Sequence, residues 1–127
     1  MTAWRKIMVI SPDATYRSIL SSTLERLGWE VDTSNSPLDG ARRSASLKPV
    51  AVVLEPSGRD QLEHEIKLTR KSAWLKTIPL FLTLETPTAS EILSIAGLPQ
   101  VFILNKYGRW GSSLVNYLDT TLKKHYL

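Results

Sequence analysis

The chain has 127 residues, of which 43% are hydrophobic and 22% charged, a balance that suits one folded soluble domain and excludes a disordered tail. It contains no cysteine, so disulfides, thiolate metal sites and cysteine nucleophiles are ruled out. Sixteen basic residues against twelve acidic ones leave a formal charge of +4, which permits an acidic partner without pointing to one.

Near the N-terminus, Ile7-Met8-Val9-Ile10 is a short, nearly continuous apolar run. Such a run predicts a strand covered on both faces. Asp13 then caps a predicted helix whose Ile19, Leu20, Leu24 and Leu27 share a face, with Gly28 as its stop. Trp29-Glu30-Val31-Asp32-Thr33 alternates apolar and polar residues, the pattern of an edge strand with one face less buried. Pro37 opens a second helix carrying Leu38, Ala41, Ala45 and Leu47, which must end before Pro49.

Val50-Ala51-Val52-Val53-Leu54 predicts a third, buried strand. Leu62, Ile66, Thr69 and Ala73 recur at helical spacing between Asp60 and Trp74. Leu80-Phe81-Leu82-Thr83-Leu84 reads as a fourth strand. Thr88-Ala89-Ser90-Glu91 has the spacing of a capping box and leads into Ile92, Leu93 and Ile95 before Gly97. Val101-Phe102-Ile103-Leu104 is the fifth strand. Leu114, Val115, Leu118 and Leu122 form a last helical stripe after Ser112 and Ser113.

Strand followed by helix, five times over residues 1–127, predicts one three-layer α/β domain with a parallel sheet and right-handed crossovers. Ligands of such sheets bind at the carboxyl ends of the strands, here Ser11 to Asp13, Glu55 to Arg59, Leu84 to Pro87 and Asn105 to Arg109. No apolar run is long enough to span a bilayer, and the N-terminus lacks the order of a signal peptide. A cytoplasmic location without membrane contact is the expectation. Lys67, Arg70 and Lys71 group on one face of the third helix, but Glu63 and Glu65 are interspersed, and Glu63 to Lys67 has ion-pair spacing. The cations read either as a stripe for nucleic acid or an acidic partner, or as a solvated face; the solvated face is expected, and with no helix-turn-helix signature nucleic acid is not an expected partner. His64 and His125 are isolated, and neither a phosphate-cradling loop nor a nucleophile elbow is present. No catalytic residue stands out.

Several pieces in order carry a resemblance: Lys6-Ile7-Met8-Val9-Ile10 with Arg17 after the turn, Lys48-Pro49-Val50-Ala51-Val52-Val53-Leu54-Glu55, Ile78-Pro79-Leu80-Phe81-Leu82, Ala96-Gly97, and a final strand ending in Lys106. Over essentially its whole length the chain resembles the receiver domain of bacterial two-component response regulators. The resemblance implies a flavodoxin-like fold, with a five-stranded parallel sheet in the order 2-1-3-4-5 flanked by helices. In that family an acidic pair after the first strand and an aspartate ending the third bind magnesium, and the aspartate accepts a phosphoryl group from a histidine kinase. A Ser or Thr ending the fourth strand and a Lys after the fifth stabilise the phosphoryl oxygens.

Carried onto this chain, the acidic pair falls on Ser11 and Pro12 and the phosphoacceptor on Glu55. The Ser or Thr position falls on Leu84, with Thr83 one residue away, and the switch aromatic becomes Ile103. Lys106 is retained, followed by Tyr107 in place of the usual Pro. The resemblance therefore implies a degenerate pseudo-receiver, without metal, cofactor or turnover, acting through a kinase or output protein; the alternatives are an atypical but working phospho-accepting receiver that uses Glu55 or Asp13, and a small nucleotide- or nucleic-acid-binding domain that uses the crevice at the strand ends. Glu55 has two readings. It mimics the phosphorylated state by pairing with Lys106, or it is simply solvated in the loop before Pro56; a pair near the surface would contribute about 0.2–1 kcal/mol. Asp13 reads as a helix cap or a displaced metal ligand, the cap being favoured. Tyr107, Arg109, Trp110 and Tyr117 fit a protein interface, including a homodimer through the fourth helix, fifth strand and fifth helix. The lost acids also bear on charge, since two carboxylates at Ser11 and Pro12 would halve the positive excess.

Overall fold

A strand that is apolar along its whole length needs cover on both faces, and helices packed on either side of the sheet supply it. The computed structural model describes residues 6–85, 87–106 and Thr120. Its elements alternate as β1 (Lys6–Ile10), α1 (Ala14–Arg26), β2 (Glu30–Ser34), α2 (Pro37–Leu47), β3 (Ala51–Leu54), α3 (Leu62–Arg70, entered through a 3-10 turn at Arg59–Gln61), β4 (Leu80–Leu84), α4 (Ala89–Ile95) and β5 (Val101–Asn105). The five strands form one sheet in the order β2-β1-β3-β4-β5, parallel throughout. This is the flavodoxin-like arrangement expected from the sequence.

Two apolar cores lie on the two faces. One joins Ile7, Val9, Val53 and Phe81 to Tyr16, Leu20 and Leu24 of α1, with the Phe102 ring stacked on Phe81 at 5.2 Å. The other joins Met8, Ile10, Val52, Leu54, Leu80 and Leu82 to Leu62 and Ile66 of α3 and Ile95 of α4. Burying each leucine or isoleucine contributes about 1.5–3 kcal/mol.

The helices differ from the sequence expectation in which faces they bury. In α1 the inward line is Tyr16, Leu20 and Leu24, while Ile19 and Leu27 remain exposed. A strict four-residue line suffices because the Tyr16 ring fills the space nearest the crevice. In α2 the buried residues are Pro37, Gly40 and Ser44, and Leu38 is 59% exposed. The small residues let the helix backbone lie close to the sheet. A Cβ on Gly40 would sit 2.7 Å from Ile10 Cδ1, so the helix turns this side inward and leaves Leu38 outside.

Helix α3 stops at Arg70, short of Trp74. The Arg70 guanidinium donates to the carbonyls of Leu75 and Ile78, both at 2.7 Å, and to those of Pro99 and Gln100. Residues 71–78 therefore form turns held by Arg70 instead of extending the helix. In α4 the capping box forms as expected, but only Ile95 of its apolar residues is buried. The predicted last helix lies outside the described residues. No helix among the described residues is long and apolar enough to cross a membrane.

Candidate functional site

The sheet register brings the site together. Ile10 lies opposite Leu54, so Ser11 and Glu55 leave the carboxyl ends of β1 and β3 side by side, and the Glu55 N–H donates to the Ile10 carbonyl at 2.8 Å. The Ser11 hydroxyl donates to Glu55 Oε1 at 2.5 Å and accepts the Asp13 N–H at 3.0 Å. Lys106 follows β5, its N–H donating to the Leu84 carbonyl at 2.7 Å. Its ammonium pairs with Glu55 Oε2 and stands 3.6 Å from Asp13 Oδ2. The Tyr16 ring lies 4.8 Å from Nζ, so the cation meets a π face on its remaining side.

The side chains of Lys106 and Glu55 are 5% and 11% exposed. Glu55 is therefore not solvated, and the pair is not the surface bridge the sequence suggested. In a buried setting, desolvation and attraction both become several-fold larger.

Asp13 caps α1, accepting the Thr15 N–H at 3.0 Å and the Tyr16 N–H at 3.2 Å. The Tyr16 amide is the leading reason that its carboxyl is held below the ordinary value, and the nearby Lys106 charge acts in the same direction. The turn after β1 is fixed by Arg17, whose Nη1 donates to the Ser11 carbonyl at 2.5 Å. Beyond Glu55 a cleft of about 280 Å³ opens, lined among others by Pro12, Ser57, Arg59, Thr83, Leu84 and Glu91. Its rim is tied by the Arg59–Glu91 pair at 3.1 Å. Ser57 of its lining is held from behind by Glu65, which accepts both its N–H and its hydroxyl.

Magnesium requires several oxygen ligands with lone pairs free to face it. Here Ser11 spends its proton on Glu55, Pro12 brings no ligating side chain, and both Glu55 oxygens are engaged. The Lys106 ammonium already answers the charge of Glu55 and lies near that of Asp13. Among the described residues no group of three His, Asp or Glu side chains is placed to hold a metal. The residues do not fit magnesium.

The other assigned positions are also located. Leu84 lines the cleft and packs on the second core, while the buried Thr83 hydroxyl turns to the Leu54 carbonyl at 3.5 Å. Phe102 and Ile103 go to opposite cores, as strand alternation demands. Tyr107, Arg109, Trp110 and Tyr117 lie outside the described residues. His64 is exposed. Glu65, grouped by sequence with the solvated face of α3, is buried at 6% exposure, because Ser57 offers it two donors. Sequence reasoning missed Ser11 as a donor and Tyr16 as the ring at Lys106. Only the four-residue spacing of Tyr16 from Leu20 hinted at its inward position.

No family model matches the chain, and no curated protein matches it. Solved structures do. The chemotaxis protein CheY4 of Vibrio cholerae is 14% identical, with a TM-score of 0.79 over 92% of this chain and 98% of that one. A two-component response regulator from Clostridium difficile is 18% identical, with a TM-score of 0.77 over 94% of this chain and 95% of that one. A response regulator from Desulfuromonas acetoxidans is 15% identical, with a TM-score of 0.78 over 94% and 98%. At these identities the likeness establishes the fold: the chain is built as response-regulator receivers are.

Proposed function

We propose that this chain is a pseudo-receiver, a signalling module over residues 1–127 that works by binding other proteins, without magnesium-dependent aspartyl phosphorylation and without turnover. The observation that carries this reading is the buried Glu55–Lys106 pair. In a receiver the lysine answers the negative charge of a phosphoryl group; here a side chain already supplies it. Glu55 is one methylene longer than aspartate, and that length lets its Oε2 meet the ammonium while Oε1 holds Ser11. The crevice is thereby held in one electrostatic state.

A kinase or an output protein is the class of partner this reading implies, in the cytoplasm. A homodimer through α4, β5 and the residues beyond is a second use of the same module. The described part of that face leaves Ile92 42% and Leu93 75% exposed, and apolar side chains of this size favour an interface.

Incubation with Mg²⁺ and acetyl phosphate, followed by intact mass, tests the proposal. The mass should not change; a stable gain of one phosphoryl group overturns it. Glu55→Gln should weaken binding to the partner recovered with the wild-type chain, and unchanged affinity would remove the mimicry.

A further inference from the structure

At the opposite end of the sheet, four lysines and one indole gather where α2 ends and α3 gives way to the loop before β4. Hydrogen bonds place them. The Trp74 indole N–H donates to the Pro49 carbonyl at 2.5 Å, beside Lys48 at the end of α2. Ser72, next to Lys71, meets Ser44 of α2 at 2.6 Å, and the Lys76 N–H donates to the Ser72 carbonyl. Lys67 lies one helical turn before Lys71. All four lysines are exposed, and none has a carboxylate within ion-pair distance among the described residues. Glu63 has the right spacing for Lys67 and forms no pair with it. Arg70, grouped with these cations by sequence, is turned inward to its four carbonyls.

We propose that this corner is a weak, sequence-independent contact for single-stranded nucleic acid. Unpaired lysines are depleted in protein–protein interfaces but suit a phosphate backbone, whose counterions they displace. Trp74 is 36% exposed, and its N–H is already used, so the exposed ring offers only a π surface. A base can stack on such a surface without sequence preference, whereas an intact duplex has no open base face. A lipid bilayer would need a broader apolar area, but the neighbouring Ala73 and Thr77 are small. The site lies away from the crevice and does not depend on the pseudo-receiver reading.

Fluorescence anisotropy of the full chain with a labelled oligo-dT 15-mer tests it. Four lysines predict a slope of log affinity against log salt of about −3, hence a loss of about 50-fold between 50 and 200 mM salt. Lys48→Gln with Lys71→Gln should halve that slope while leaving the far-UV spectrum intact, and Trp74→Ala should lower affinity about tenfold. Absence of salt-dependent binding, or a slope unchanged in the double lysine variant, overturns the proposal. So does tighter binding to phosphatidylglycerol vesicles than to the oligonucleotide.

Discussion

Lys106 holds an ammonium at 5% side-chain exposure, a position that would be strongly unfavourable for a lone charge. Glu55, Asp13 and the Tyr16 ring offset that cost together. Removing one partner should therefore do more harm than removing both. Lys106→Met strands the Glu55 carboxylate at 11% exposure and should destabilise the fold by about 3 kcal/mol in urea unfolding. Glu55→Gln leaves the lysine with Asp13 and should cost less. The double variant should be clearly more stable than the sum of the two losses implies. Strict additivity would show that the pair is not coupled. The identities of Glu55 and Lys106 were readable in the sequence, and so was the capping role of Asp13. Their burial was not, because it depends on how far one extra methylene reaches across the ends of two strands 44 residues apart in the chain. Nor could spacing reveal that Ser11, read as a missing acid, donates the hydrogen bond that aims the carboxylate.

Among the elements, the boundaries that sequence reasoning placed well are those with local chemistry. The Thr88–Glu91 capping box, the Asp13 cap and Pro37 at the first turn of α2 each act within four residues. The boundary it missed is the end of α3, which is set by a distant contact. Ala73 continues the apolar period, yet the helix stops at Arg70 because that guanidinium joins the loop before β4 to the loop before β5. Burial pushes its pKa below the ordinary arginine value, but the group remains charged, and charge-assisted hydrogen bonds are the stronger kind. Arg70→Met should destabilise the chain by about 2 kcal/mol and raise amide exchange across residues 75–80 and 98–101. Arg70→Lys should recover only part of the loss, since an ammonium lacks the planar fork that reaches several carbonyls at once. Equal stability of the Met variant would mean that the loops hold themselves. The faces of α1 and α2 teach the same lesson. Leu38 and Ile19 fit a helical period, but Gly40 and Tyr16 decide which side the sheet can accept.

At the scale of the whole molecule, parallel strands followed by helices align every helix N-terminus with the carboxyl edge of the sheet. That edge carries the positive ends of the helix dipoles, which favour carboxylates there. Three carboxyls at this edge are held below their ordinary values. Asp13 is lowered chiefly by the Tyr16 N–H, Asp39 chiefly by the Ser34 hydroxyl, and Glu91 chiefly by the Thr88 N–H. In the unfolded chain the same groups titrate near 3.8 for aspartate and 4.5 for glutamate. As pH falls, the unfolded state takes up these protons first, so acidification favours unfolding. Their stabilising contribution is complete above the unfolded values and drains as pH drops through them toward the lower folded values. Thermal unfolding should accordingly be flat between about pH 8 and 5.5 and decline below about pH 4.5. Asp13→Asn combined with Glu91→Gln should lower the neutral plateau and flatten the acid decline, because the substituted groups no longer titrate. Asp13 is exposed and Asp39 and Glu91 are half-buried, so salt still reaches these charges and the flattening should shrink as salt is raised. An acid limb of unchanged steepness in that variant would assign the decline to other carboxyls of the molecule.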